Sequence, residues 1–301
     1  MELHDDDKPV GRVLSRREII KLLGGSGAAL FVGMSLSKVV KAQDVVATPL
    51  TDTLPTCVVQ PEVTEGPYFV DEDLNRMDVR VKLTDDTIKE GAPFYLIFRV
   101  SDVTNGACIP LQDAQVDIWH CDANGEYSDV QDQGFAHLDE KWLRGYQVTD
   151  ENGLAEFVTI VPGWYSGRAV HIHFKIRTTG TDGESYEFTS QLFFDPDFLE
   201  QLYAEEPYAP KGLPDTANDV DSIYQQTGGQ LNLTLYEMDD SDIAALQEKI
   251  DTVNFTSGYK ALIDIGLDLS DTAVAASDSA SGGGMGGPGG MGGPGGGGMP
   301  P

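Results

Sequence analysis

The sequence predicts a mainly β chain, folded as a β-sandwich with short helical decorations. Runs of four to eight residues rich in aromatic and β-branched side chains recur from Phe94 to Phe194. Asp-x-x-Gly turns at Asp122-Ala123-Asn124-Gly125 and Asp150-Glu151-Asn152-Gly153 separate them, as a hairpin or a sandwich requires. Short strands with turns at this spacing describe two packed sheets, and 40% hydrophobic content over 301 residues is ample for their core.

In chain order, Ser15-Arg16-Arg17-Glu18-Ile19-Ile20-Lys21 precedes an apolar, glycine-rich stretch from Leu22 to Val40. This is the layout of a twin-arginine export signal over residues 1–42, with cleavage after Ala42. Its many glycines and modest hydrophobicity favour a removable signal over a membrane anchor, so no stable membrane insertion is expected after removal. The expected location is periplasmic, cell-surface or extracellular. The catalytic or binding domain then spans 43–270, and 271–301 is a Gly/Met/Pro-rich tail expected to be disordered.

Within the domain, Phe94–Val100 and Ala114–His120 read as strands, as do Leu143–Val148, Ala155–Ile160, Val170–Ile176 and Tyr186–Phe194. Asp195-Pro196 opens a short helix, with Asp as cap and Pro in the first turn. A second helix is expected over 219–226, a strand over 231–238, a helix over 243–250 capped by Asp240-Ser241, and a closing strand over 259–267.

Seven of the 20 basic residues and five of the 49 acidic ones lie in 1–42. The remainder holds 13 basic against 44 acidic residues, a net charge of −31. No basic stripe is available for phosphates, which excludes nucleic acid as a partner. Two of Cys57, Cys108 and Cys121 can pair in an oxidising compartment; Cys57 with Cys108 is the preferred pair, and three buried thiols the alternative.

The chemistry concentrates in Gly163-Trp164-Tyr165-Ser166-Gly167-Arg168-Ala169-Val170-His171-Ile172-His173-Phe174. On a strand His171 and His173 project to one face, roughly 6–7 Å apart, and Ile172 and Phe174 to the other. Two imidazoles so placed can converge on one metal ion, or form only a hydrogen-bonded pair. A tyrosine phenolate is a hard anionic ligand, suited to ferric iron better than to zinc. Thr64-Glu65-Gly66-Pro67-Tyr68-Phe69 is a Gly-Pro turn with two aromatics, a suitable lip for an aromatic ligand. His120 and His137 read as structural.

Four ordered motifs carry a resemblance: Val116-Asp117-Ile118-Trp119-His120-Cys121-Asp122, Gly125-Glu126-Tyr127-Ser128, Arg144-Gly145-Tyr146-Gln147-Val148-Thr149-Asp150, and the stretch from Gly163. From about Thr64 to Phe194 the chain resembles the intradiol ring-cleavage dioxygenases, in particular their exported members. The resemblance implies the sandwich of that family and a mononuclear Fe(3+) held by Tyr127, Tyr165, His171 and His173. Tyr165 would be the ligand that departs when substrate binds. Arg168 matches the arginine that opposes negative charge on the ring, and Gln191 the family's active-site glutamine. Gly66, Pro67, Tyr68 and Trp164 would line the substrate pocket. The implied reaction is cleavage of a small aromatic diol by dioxygen to a cis,cis-muconate-type diacid. The acidic surface favours neutral catechols, substituted or lignin-derived, although salt screens it within about 10 Å. The principal rival is an exported, noncatalytic β-sandwich binding module with a vestigial metal site. A zinc hydrolase or an extradiol enzyme would call instead for a carboxylate or a third histidine.

Overall fold

A computed structural model describes Pro55 and residues 58–271 apart from Gln133. The expected export segment, Cys57 and the tail from 272 onward lie outside the described residues. Eleven strands and three helices are seen among those described: β1 Pro93–Asp102, β2 Ile109–Pro110, β3 Gln115–Trp119, β4 Gln131–Asp132, β5 Phe135–Ala136, β6 Arg144–Val148, β7 Leu154–Ile160, β8 His171–Thr179, β9 Ser185–Phe193, α1 Pro196–Leu202, α2 Ser222–Gln226, β10 Tyr236–Glu237, α3 Asp240–Lys249 and β11 Tyr259–Leu267.

One sheet runs β10-β11-β1-β2 with β7 also on β1, the second runs β6-β3-β8-β9, and β4 and β5 form a small hairpin. The turn at Asp150–Gly153 is therefore an arch between sheets, since β6 pairs with β3 and β7 with β1. Alternation builds the core. Phe94, Leu96 and Phe98 of β1 and Ile263 and Ile265 of β11 meet Val116 and Ile118 of β3 and Ile172, Phe174 and Ile176 of β8 in one buried cluster. The Phe98 and Phe174 rings bridge the sheets at 5.2 Å.

The expected mainly β sandwich with few helices is what forms. Asp195 accepts from the backbone N–H groups of Asp197 and Phe198, with Pro196 in the first turn. The third helix differs slightly: Asp239 caps it, in a reciprocal box with Asp242. The strand expected over 231–238 is confined to Tyr236–Glu237. That segment stays extended but changes partners, bonding Phe193 of one sheet through Leu231 and Leu233, then Gly258 beside the other through Met238. No continuous ladder can form across such a switch. Cys121 is a free, buried thiol, whereas Cys108 is disulfide-bonded.

His120 is structural, as its alternation with Val116 and Ile118 implied. Its Nε2 lies 2.7 Å from Thr159 Oγ1 and its Nδ1 2.8 Å from the Cys121 carbonyl. Burial pushes the imidazole down from 6.5 to about 4. Below pH 6.5 the unfolded chain takes up a proton there that the folded chain refuses until about pH 4, so stability falls with pH across this window. A His120→Gln variant should therefore lose about 3 kcal/mol less stability than the wild type between pH 7 and 4. Urea unfolding midpoints at both pH values check this; parallel losses in the two proteins would refute it.

Candidate active site

The two-residue period of β8 sends His171, His173, Lys175 and Arg177 to the face opposite the core. That face is covered by the segment 64–72. Lys175 pairs with Glu65, and Arg177 with Asp71 at 2.6 Å and Asp117 at 2.9 Å. The Lys175 ammonium also sits 4.4 Å above the Phe69 ring. Gly66 lies against His173 itself: at φ +76° a Cβ here would stand 3.2 Å from His173 Cε1. Only glycine adopts that backbone without strain and leaves that space.

Beneath this segment four donors gather. Tyr165 Oη lies 3.1 Å from His171 Nε2, which lies 3.0 Å from His173 Nε2. The Tyr127 ring approaches Tyr165 at 5.8 Å and His173 at 6.3 Å between centroids. Tyr127 Oη is buried and makes no hydrogen bond of normal geometry among the described residues. His171 Nδ1 donates to the Ala169 carbonyl at 2.6 Å, which leaves its Nε2 lone pair facing the cluster. Trp119 stacks on His173 at 5.0 Å and 11° and fixes the plane of that ring.

Burial, then the Arg168 charge, pushes His171 down to about 3, and burial holds His173 well below its usual value. Both imidazoles are thus neutral, the form that ligates metals. Burial raises Tyr165 to about 12 and Tyr127 well above the ordinary phenol range. A cation between the two oxygens would reverse that shift, because the phenolates would then be paired rather than stranded. Two buried phenol oxygens and two neutral imidazoles fit a hard, strongly Lewis-acidic ion. No group of three or more His, Cys, Asp or Glu side chains among the described residues could hold a metal, so the donor set of a zinc hydrolase or a ferrous extradiol site is not found there.

Gln191 sits directly opposite His173 in the β8–β9 ladder. Its Nε2 donates to the Thr64 carbonyl at 2.9 Å, and its Oε1 accepts from Arg168 Nη2 at 2.5 Å. Tyr68 stacks on Tyr127 at 4.4 Å, stands edge-on to Tyr165 at 6.2 Å and donates to Asp132. Trp164 faces elsewhere: its N–H bonds the Gly212 carbonyl at 2.8 Å, and Lys211 lies 4.9 Å above its ring. A cavity of about 230 Å³ lined by Val170, Leu199, Leu213 and Pro214 includes none of the four donors, so donor chemistry rather than volume marks the site.

Sequence reasoning gave no role to Asp221 or Arg144 and none to the stacking face of Trp119. Asp221 caps α2 through Ile223 and Tyr224 and also binds Arg168. Burial raises its carboxyl, but the Ala169 N–H and the Arg168 charge more than offset this and hold it below the usual range. Arg144 donates to the Tyr68 carbonyl at 3.2 Å and to Ser128 Oγ at 2.9 Å, tying the covering segment to the Tyr127 turn. The aspartate's helix-cap signal was readable; its partner 53 residues upstream was not.

The architecture and donors thus define a β-sandwich protein with a two-tyrosine, two-histidine site on one outer sheet face. A family profile described as Dioxygenase matches residues 64–205. The protocatechuate 3,4-dioxygenase beta chain of Burkholderia cepacia is 31% identical over 163 residues, 51% of this chain. The matched part spans 66% of that relative, just under two thirds of its length. An intradiol ring-cleavage dioxygenase from Tetranychus urticae superposes with a TM-score of 0.56 at 27% identity, over 71% of this chain and 96% of that one. A second dioxygenase structure gives 0.55 at 26% identity, with the same coverage. In the matched residues and in fold the chain is similar to the intradiol ring-cleavage dioxygenases.

The packing of Gly66 on His173 gives a direct test. Gly66→Ala places an L side chain in the left-handed region, which costs about 1–2 kcal/mol, and pushes on His173. Urea unfolding should show the loss; unchanged stability would mean the segment is not held against the histidine.

Proposed function

We propose that this protein cleaves the ring of a small, neutral catechol-type diol with dioxygen, between the two hydroxyl-bearing carbons, to a cis,cis-muconate-type diacid. The observation that carries this reading is the convergence of Tyr165 Oη, His171 Nε2 and His173 Nε2 beside the buried Tyr127 hydroxyl, which interacts with Tyr165. The similarity to intradiol ring-cleavage dioxygenases supports it. Tyr127, Tyr165, His171 and His173 would hold Fe(3+), which when bound supplies the Lewis acidity and electron-accepting character that make a catechol reactive toward oxygen.

The chain's own groups divide the remaining work. Tyr127 is wholly buried, while Tyr165 is partly exposed on its turn, so Tyr165 would be the phenol oxygen placed to accept a substrate hydroxyl proton at Oη. The Ala169 carbonyl and the Trp119 ring hold the two histidines in their ligating orientation. Arg168 directs positive charge at the site and opposes anionic character developing on the ring, a form of stabilisation strengthened where water is excluded. Gly66, Pro67 and Tyr68 would form the substrate lip, with Tyr68 anchored to Asp132. A carboxylate at the lip disfavours substrates that carry their own, which supports neutral catechols.

The ferric-loaded protein should be red from tyrosinate-to-iron charge transfer, with the band moving to longer wavelength when catechol is added without oxygen. Visible spectra check both. A colourless protein with full metal occupancy would sink the assignment and favour the binding-module reading.

We further propose export through the twin-arginine route. The Arg16-Arg17 pair supports this, as does the Cys108 disulfide, a bond that persists in oxidising compartments. Replacing both arginines with lysine should retain the protein in the cytoplasm, read by cell fractionation; undiminished export would refute the signal.

A further inference from the structure

Arg168 does not point at the donor cluster unaided. Its Nε donates to Asp221 Oδ2 at 2.9 Å, and its Nη2 to Gln191 Oε1. Nη1 is the guanidinium nitrogen left without a hydrogen-bond partner among the described residues. The same Asp221 Oδ2 accepts the Ala169 N–H at 2.8 Å. The Ala169 backbone is therefore held on both sides, because its carbonyl accepts a hydrogen bond from His171 Nδ1. The other oxygen, Oδ1, accepts from Ile223 N at 2.7 Å and Tyr224 N at 3.1 Å, which anchors the carboxylate to the start of α2. Asp221 is 2% exposed, so water does not compete for these bonds.

Four N–H donors on one buried carboxylate exceed what a helix cap requires. A cap needs Oδ1 alone, and a serine or asparagine would serve it. The second oxygen is spent entirely on Arg168 and Ala169, three and two positions before His171. Sequence distance makes the point sharper, since 53 residues separate Asp221 from Arg168 and 52 from Ala169. Removing the carboxylate would free the guanidinium to turn about its Cδ–Nε bond and loosen the peptide that sets the His171 tautomer.

We propose that Asp221 is a positioning residue: it fixes the direction of the Arg168 guanidinium and, through the Ala169 peptide, the ring orientation of His171. The consequence for catalysis rests on the function proposed above. The consequence for geometry does not. Partners of this outer kind change activity by roughly 10- to 100-fold when removed.

The test uses Asp221→Asn and Asp221→Ser in the full chain. Asn keeps the shape and an oxygen for the cap but turns an N–H₂ toward two donors. Ser keeps the cap and cannot reach Arg168, and it serves if Asn fails to fold. Crystal structures of metal-free wild type and variant should show the Arg168 guanidinium away from Gln191 in the variant only; an unmoved Arg168–Gln191 bond would overturn the proposal even if the wild type proves to lack ring-cleaving activity. With iron loaded, kcat per bound iron should fall about 10- to 100-fold, with KM for catechol changed less than about threefold. A purely structural role would lower melting temperature and iron content together and leave kcat per iron within twofold, which would also overturn it.

Discussion

The two-residue period of one strand governs this molecule. β8 runs through the middle of its sheet, flanked by β3 and β9, and must bury Ile172, Phe174 and Ile176 to hold the sandwich together. A strand that commits alternate residues to the core has no choice about the others. His171, His173, Lys175 and Arg177 are placed on the outer face by the same constraint. A register slip of one residue would bury two cations and expose the core at once, so the position of the histidines is protected by the hydrophobic energy of the whole sandwich.

An outer sheet face carrying four cationic or titratable groups needs a cover that satisfies them. The segment 64–72 supplies it, with Glu65 and Asp71 for the two charges, Phe69 against Trp119 and under Lys175, and a glycine where His173 leaves no room. The neutral imidazoles and the protonated phenols follow from the resulting burial. The Tyr127 hydroxyl is buried among aromatic rings and makes no hydrogen bond of normal geometry among the described residues, so a cation beside it would be favourable. The tyrosines come from turns and the histidines from a strand, so the rigid element sets the site and the turns complete it.

Arg168, Asp221, Gln191 and the Thr64 carbonyl form a second chain of contacts around the donors. It joins the start of α2, the turn before β8, the edge strand β9 and the covering segment. No single element could hold a guanidinium in this direction, because each offers only one fixed contact. The Glu65 and Asp71 contacts on the same face are ion pairs of ordinary kind that hold the cover rather than the site, and Asp117 ties Arg177 to β3.

The sequence by itself determined the class of fold, most strand positions, the turn chemistry and the shared face of His171 and His173 just after Tyr165, whereas Tyr127 entered only through the family resemblance. Those features are local: alternation within eight residues, Asp and Gly at turns, Pro after a cap, and an H-x-H beside a tyrosine on the preceding turn. The strand expected over 231–238 failed for the opposite reason, since its hydrogen bonds go to two different sheets and no local pattern records where a partner ends. The pairing of Gln191 with His173 depended on the β8–β9 register, and the stacking of Trp119 on His173 on the β3–β8 register. Trp164 stood in the same motif as Tyr165, yet its contacts run to Gly212 and Lys211, because neighbouring residues on a turn can face different directions. Only the tertiary structure could bring Asp221 to Arg168. Contacts between residues 50 or more apart are set by how whole sheets and helices pack, and the short-range periodicity of a sequence carries no measure of that.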